Sequence, residues 1–267
     1  MYLSHWGLIE SPFRSRIAAR YFYRSPTHEE ALARLQFLVD EGHRIGLLMG
    51  EAGSGKSLVL GVFADQRRSA GRPVVMTSLL GMDRLEFLYT VGTELGSRPK
   101  APVVVSSLWR GVADHLLANR YQALETVLLL DDADRAGRDI LAQVARLANH
   151  DLSPESRLTV VLAGQRERMG RLGPALLELA ELRIDLEPWE PSDTEDYLKS
   201  SLAQAGRRTA VFDDAAVARL HELARGVPRH VARLADLALV AGAGRKLDAI
   251  DVDTIESVCH ELGVIEV

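Results

Sequence analysis

Eight consecutive residues constrain this chain more than any other feature: Gly50, Glu51, Ala52, Gly53, Ser54, Gly55, Lys56 and Ser57. They fit the spacing of a glycine, four variable residues, a glycine, a lysine and a serine or threonine. Glycines let the backbone curl until several N–H groups point into one concavity, and a helix that begins there adds the positive end of its dipole. Such a loop works only if a buried strand delivers it and a helix leaves it. The sequence offers both, with the short apolar run Ile45 to Met49 before the loop and Leu58, Val59, Leu60, Val62 and Phe63 after it. A chance glycine-rich turn would lack that setting. The expectation is a loop that cradles the phosphates of ATP, with Gly50 to Ser57 and the following Leu58 forming the nucleotide-binding segment. Lys56 would reach the β- and γ-phosphates, and Ser57 would offer its hydroxyl to a Mg²⁺ bridging them. The lysines are Lys56, Lys100, Lys199 and Lys246, all other cationic side chains of this kind being arginine. A coding bias accounts for the arginine excess, but not for where Lys56 sits.

A phosphate loop of this kind needs a second acid for the metal, at the end of another buried strand. Val127, Leu128, Leu129 and Leu130 lead into Asp131 and Asp132. Asp131 is the expected Mg²⁺ ligand, directly or through water. Asp132 stands where a base would orient the attacking water. Aspartates that end a strand are also common turn formers, and that reading applies to the pair taken alone.

Along the chain, Met1 to Pro26 is aromatic and irregular and reads as an arm that packs on something. Thr27 and Glu30 form a capping-box pattern for a helix that ends near Gly42. Further buried strands are expected at Pro73 to Thr77, Val127 to Leu130, Leu158 to Ala163 and Arg183 to Leu186. Helices are expected at Asp83 to Leu95, Ser107 to Leu124 and Arg138 to Asn149. Near-continuous apolar strands alternating with helices predict a parallel sheet covered on both faces, an α/β class. After Pro188 no strand pattern remains. Four helices are expected there: one capped by Ser192 with Glu195, one from near Asp213 to Gly226, one with Pro228 in its first turn, and one from near Asp251 to Gly263. The division expected is residues 1–188 as an α/β nucleotide-binding domain with an N-terminal arm, and residues 189–267 as an all-helical lid.

Composition narrows the setting. With 267 residues, 47% hydrophobic and 26% charged, the chain can bury a large core. A formal net charge of −5 does not by itself call for nucleic acid or an anionic membrane surface. No apolar run approaches the roughly 20 residues that span a bilayer, and the first ten residues lack the pattern of a secretory leader. Cys259 is the only cysteine, so a disulfide framework is excluded, and the eight histidines show no metal-site spacing. A cytoplasmic protein is expected.

With both motifs placed, the chain resembles, nearly end to end, the AAA+ ATPase domain of the general secretion pathway protein A family, which is related to the ATPases of DNA transposition. The resemblance is carried by Tyr2 to Phe13 with Gly7 and Pro12–Phe13, by His28, Glu30, Ala31 and Leu32, by the loop beginning Gly50–Glu51, and by three outer segments. Gly164–Gln165 is similar to the family's sensor-1 segment. Arg183–Ile184 falls where the family has an arginine suited to act as a finger. Gly226, Pro228 and Arg229 are similar to its sensor-2 signature. The resemblance implies a P-loop NTPase fold with a five-stranded parallel sheet and a C-terminal helical lid, ATP and Mg²⁺ as ligands, and activity that depends on a homo-oligomer formed through the nucleotide interface. It also implies roles for Gln165 as a polar sensor, for Arg229 at the γ-phosphate of its own subunit, and for Arg183 at the nucleotide of a neighbour. An ordinary surface arginine at Arg183 and an ordinary polar residue at Gln165 remain equally compatible with the residues themselves. Tyr21, Phe22 and Tyr23 are open to lining an adenine pocket or to core packing.

Two departures from that family matter. It usually has glutamate after the metal-binding aspartate, whereas Asp132 is one methylene shorter, so its carboxylate retreats by roughly an ångström and slow hydrolysis is expected. Its full-length members continue into a membrane span and a peptidoglycan-binding domain, whereas this sequence stops after the lid, so a cell-wall role does not follow from the resemblance. The function expected first is ATP hydrolysis coupled to assembly or remodelling of a partner complex, with secretion or pilus export as the setting and a secretion-system component as a candidate partner. A second reading is an ATP-dependent oligomerisation switch with little turnover. Paired aspartates also occur in signalling NTPases of the STAND class, although Arg229 stands where those usually have leucine. A third is a DNA-associated regulator of the transposition type, for which Arg166, Arg168 and Arg171 would contact phosphates unless they form a solvated charged face.

Overall fold

The computed structural model describes residues 2–13, 22–101, 103–153 and 155–261. They form a five-stranded, all-parallel sheet with helices and a set of C-terminal helices, as expected from the strand and helix patterns. The chain divides into two compact units. One comprises Ile17–Ala52 and Lys56–Leu186, and the other Met1–Arg16, Gly53–Gly55 and Glu187–Val267.

In the α/β unit the elements run α2 (Pro26–Asp40), β1 (Ile45–Gly50), α3 (Lys56–Ser69), β2 (Val74–Ser78), α4 (Arg84–Glu94), α5 (Val105–Tyr121), β3 (Thr126–Asp131), α6 (Arg138–Ala148), β4 (Leu158–Gly164), α7 (Pro174–Glu178) and β5 (Ala180–Leu186). Short 3₁₀ turns lie at Ala133–Arg135 and Arg166–Leu172. The strand order is β2-β3-β4-β1-β5. Side chains alternate between the faces of a strand, and the core divides accordingly. Ile45, Leu47, Leu128, Leu130, Val160 and Leu162 enter one apolar cluster, which also takes Phe87, Trp109 and Val144. Leu48, Val127, Leu129, Val161 and Ala163 enter the other, with Leu35, Leu38 and Phe63. Apolar burial on both faces is why these strands read as continuous hydrophobic runs.

Several boundaries differ from the sequence reading for local reasons. Helix α2 is led in by Ser25 with Pro26 in its first turn, not by Thr27 with Glu30. The Ser25 hydroxyl pairs with His28 Nδ1 at 2.8 Å instead of closing a capping box. Helix α5 begins at Val105 and stops at Tyr121, before Leu124. Helix α7 was not foreseen, being a five-residue element too short to show periodicity.

The helical unit contains α1 (Tyr2–Trp6), α8 (Pro191–Gln204), α9 (Asp214–Ala224), α10 (Pro228–Arg245) and α11 (Val252–Glu261). Of the N-terminal segment, expected to be irregular, residues 2–6 form a helical turn and residues 2–13 pack within this unit. Trp6 is 1% exposed, and its indole N–H donates to Leu239 O at 2.7 Å. Arg207 donates to Trp6 O at 2.8 Å, and Phe13 sits against Tyr197 and Phe212. Helix α8 is capped by Glu190 with Asp193, two residues earlier than Ser192 with Glu195. Asp213 caps α9, accepting from the Ala216 N–H at 2.6 Å. Arg225 and Gly226 then turn left-handed, and Gly226 O accepts the Trp189 N–H at 2.8 Å. A Cβ at Gly226 would lie 2.3 Å from Trp189 O, so both conformation and space require glycine there. The stop expected at Gly263 and the aromatic Tyr21 lie outside the described residues. Among the described residues, no helix is long and apolar enough to cross a membrane.

Candidate nucleotide-binding site

The loop leaves the end of β1 and re-enters helix at Lys56. Gly53 and Gly55 have φ of +95° and +99°, a backbone region that side-chain-bearing residues rarely adopt, so the curl of the loop depends on them. Gly53 groups with the helical unit. Its carbonyl accepts the Arg229 N–H at 3.2 Å, and a Cβ there would come within 2.9 Å of Arg229 Cβ, so glycine is required twice over. The Lys56 ammonium folds across the loop and donates to Gly50 O at 2.9 Å and Glu51 O at 2.7 Å. Two backbone carbonyls thus fix a cation within the loop.

Ser57 is the second residue of α3, and Asp131 is the last of β3. The Ser57 hydroxyl donates to Asp131 Oδ2, joining two motifs 74 positions apart. Asp131 Oδ1 accepts the backbone N–H of Asp132 at 2.9 Å, so both of its oxygens are fixed. Asp131 as a whole is 8% exposed. A hydroxyl and a carboxylate, both hard oxygen donors, form the partial set that Mg²⁺ takes from a protein when phosphates and waters complete the shell. Among the described residues, no group of three or more His, Cys, Asp and Glu side chains could hold a metal by itself, so this pair fits a shared ion and not a protein cage.

Asp132 follows in the left-handed conformation, φ +53°. Asparagine and aspartate visit that region more readily than other side-chain-bearing residues. Its carboxylate accepts from the Ser78 hydroxyl at 2.8 Å. Ser78 ends β2 in register with Asp131, which puts its hydroxyl beside the strand end next door. The sequence reading did not single out Ser78. Its only signal was its place at the close of a strand adjacent to β3.

The remaining predicted residues are more scattered. Gln165 follows Gly164 at the end of β4, and its carbonyl accepts the Arg168 N–H at 2.9 Å at the head of a 3₁₀ turn. That turn lies against the turn at Ala133–Arg135. The contact is close: a Cβ at Gly164 would meet Asp134 Oδ1 at 2.7 Å, Asp134 Cβ at 2.9 Å and Met169 Sδ at 2.9 Å. Asp134 is 2% exposed, and its Oδ2 has no hydrogen-bond partner among the described residues. Arg183 is exposed on the edge strand β5, opposite Leu47 in register, and its carbonyl accepts from Arg34 at 3.4 Å. Arg229 is exposed in the first turn of α10. Phe22 packs against the α/β core and lies 5.6 Å from the His28 ring. Arg166, Arg168 and Arg171 are exposed along one 3₁₀ turn, and Arg166 is paired with Asp185 at 3.1 Å.

Residues 39–172, which contain the loop, Asp131, Asp132 and Gln165, match the model of the AAA domain. The chain belongs to the AAA domain family. This AAA chain is 30% identical over 269 residues to the general secretion pathway protein A of Aeromonas hydrophila, which covers 99% of the chain but 49% of that protein. The chain therefore spans about half the length of the curated relative it matches. Its fold is similar to that of Cdc6p from Pyrobaculum aerophilum, with a TM-score of 0.75 at 18% identity over 95% of this chain and 71% of that one. It is also similar to the Aeropyrum pernix Orc1 protein, solved in complex with DNA, with a TM-score of 0.68 at 18% identity over 97% and 69%. At that identity these two show the AAA+ fold alone.

Proposed function

We propose that this AAA+ chain is a Mg²⁺-dependent ATPase that couples hydrolysis to assembly or remodelling of a partner complex, in a secretion or pilus-export setting. The observation that carries the reading is the Ser57 hydroxyl bonded to the Asp131 carboxylate, because it unites the phosphate loop with an acid from another strand. Gly50 to Leu58 would hold the triphosphate, with Lys56 exchanging backbone carbonyls for phosphate oxygens. Ser57 and Asp131 would hold the metal. Bound there, Mg²⁺ supplies positive charge to the β- and γ-phosphate oxygens. Asp132, held by Ser78, is the base that orients the attacking water. Gln165 and Arg229 are assigned to the γ-phosphate end. Arg183, exposed on an edge strand, is assigned to the nucleotide of a neighbouring copy in a homo-oligomer. Residues 1–188 and 189–267 are read as nucleotide-binding domain and lid, with residues 2–13 of the first packing among the lid helices, in a cytoplasmic protein. The similarity to general secretion pathway protein A supports the secretion setting, and a component of such a system as partner.

Phosphate release measured across a range of protein concentrations tests the proposal. Specific activity should rise with concentration as copies assemble. ATP binding with no release at any concentration would replace the motor with an oligomerisation switch. The DNA-associated reading has the Orc1 protein, solved with DNA, as a relative in fold alone, and the Arg166–Asp185 pair leaves its proposed contact surface partly neutralised. ATP-dependent DNA binding that weakens steeply with salt would put it first.

A further inference from the structure

A groove of about 540 Å³ opens among α4, α5 and α6, lined by Arg84, Ser106, Trp109, Arg110, Arg146 and His150 together with small apolar side chains. No carboxylate lines it among the described residues. In a chain of net charge −5 this is a local reversal of sign. Elsewhere on the same unit, Arg68, Arg120 and Arg157 are paired with acids. Arg84 and Arg110 are exposed and make no ion pair among the described residues. Arg146 lies over the Trp109 ring, 4.0 Å from its centroid, and the indole N–H donates to Gln143 Oε1 at 2.7 Å. Its guanidinium is therefore held in place by a buried ring. Ser106 lies in the first turn of the 17-residue α5, so the positive end of that helix faces the same space.

The chemistry selects among anions. Guanidinium groups match carboxylates with paired hydrogen bonds, and a concave groove suits an extended chain. Trp109 is 5% exposed with Arg146 on its face, so it offers no platform on which a base could stack, the usual anchor for single strands. We propose that this groove docks an acidic segment of a partner polypeptide, its glutamate or aspartate carboxylates held by Arg84, Arg110 and Arg146. The inference goes beyond the ATPase reading and does not depend on it.

Fluorescence anisotropy with a short fluorescein-labelled oligo-glutamate peptide tests it, using the full chain without nucleotide. The peptide should bind, and Arg84→Glu with Arg110→Glu should weaken it by about tenfold or more. The equally charged Arg208→Glu with Arg233→Glu, on the helical unit, should leave affinity within about twofold. Arg110→Gln, which removes one charge without adding another, keeps the test open if the double reversal does not fold. No binding of the peptide, or equal loss in both double variants, overturns the proposal. So does displacement of the peptide by single-stranded or duplex DNA with the same arginine dependence, which would make the groove a nucleic-acid site.

Discussion

Replacing Gly164 with alanine adds one methyl group where the turn after β3 meets the turn after β4. Three atoms would lie under 3.0 Å from it, namely Asp134 Oδ1, Asp134 Cβ and Met169 Sδ. Asp134 and Met169 are 2% and 4% exposed, so neither can swing into solvent to make room. Overpacking of this kind costs about 1–3 kcal/mol. Gly164 does not have a positive φ, so the cost is steric and not conformational. Gly170 supplies the control, because a Cβ there meets nothing within 4 Å and its φ is not positive either. Alanine at Gly170 should be neutral, or stabilising by about 0.4–1 kcal/mol through the unfolded chain. Urea unfolding midpoints of the two variants give the comparison. The same push falls on Asp134, two residues after Asp132, so ATP turnover in Gly164→Ala should also fall, toward the roughly hundredfold loss that an ångström of misplacement can cause. Equal stability of the two variants would refute the packing argument. Lost stability with unchanged turnover would detach this contact from catalysis.

Three further outcomes follow from the same geometry. Asp132→Glu lengthens the side chain by one methylene at the expense of the Ser78 bond, and phosphate release should rise, by up to about a hundredfold; an unchanged or slower rate would show that the short acid is not what limits hydrolysis. Asp213→Ala removes the acceptor of the Ala216 N–H at the start of α9 and should cost about 1 kcal/mol in chemical denaturation, whereas Asp213→Asn should recover most of it. Burial pushes the Tyr197 hydroxyl up to about 12, so the folded protein keeps its proton where the unfolded chain has lost it; stability should be full below about pH 10 and decline as pH rises from there toward 12, and Tyr197→Phe should flatten that decline.

The sheet was legible because strands buried on both faces leave unbroken apolar runs, as at Val127 to Leu130, and because motif chemistry demanded a strand before Gly50. The pairing of Ser57 with Asp131 was legible for a similar reason: two oxygen donors proposed to serve one cation must meet wherever the chain places them. Caps were read less well. Ser192 with Glu195 and Thr27 with Glu30 have the right residue types, but Pro191 and Pro26 open their helices and move the starts upstream. Helix α1 showed no pattern because five residues hold barely more than one turn. Its order comes from contacts such as Trp6 to Leu239, 233 positions away. Ser78, Asp134 and the arginines at 84, 110 and 146 carry no local signal, since each matters only through neighbours from other elements.

The most direct measurement is phosphate release from ATP by the purified chain and by its Asp131→Asn variant, at matched protein and Mg²⁺ concentrations. Asp131 is the acid that Ser57 touches, and the substitution keeps its shape while removing its charge. The account predicts Mg²⁺-dependent release by the unaltered chain and a loss of about a hundredfold or more in the variant, with folding unchanged. Equal rates in the two proteins would contradict it.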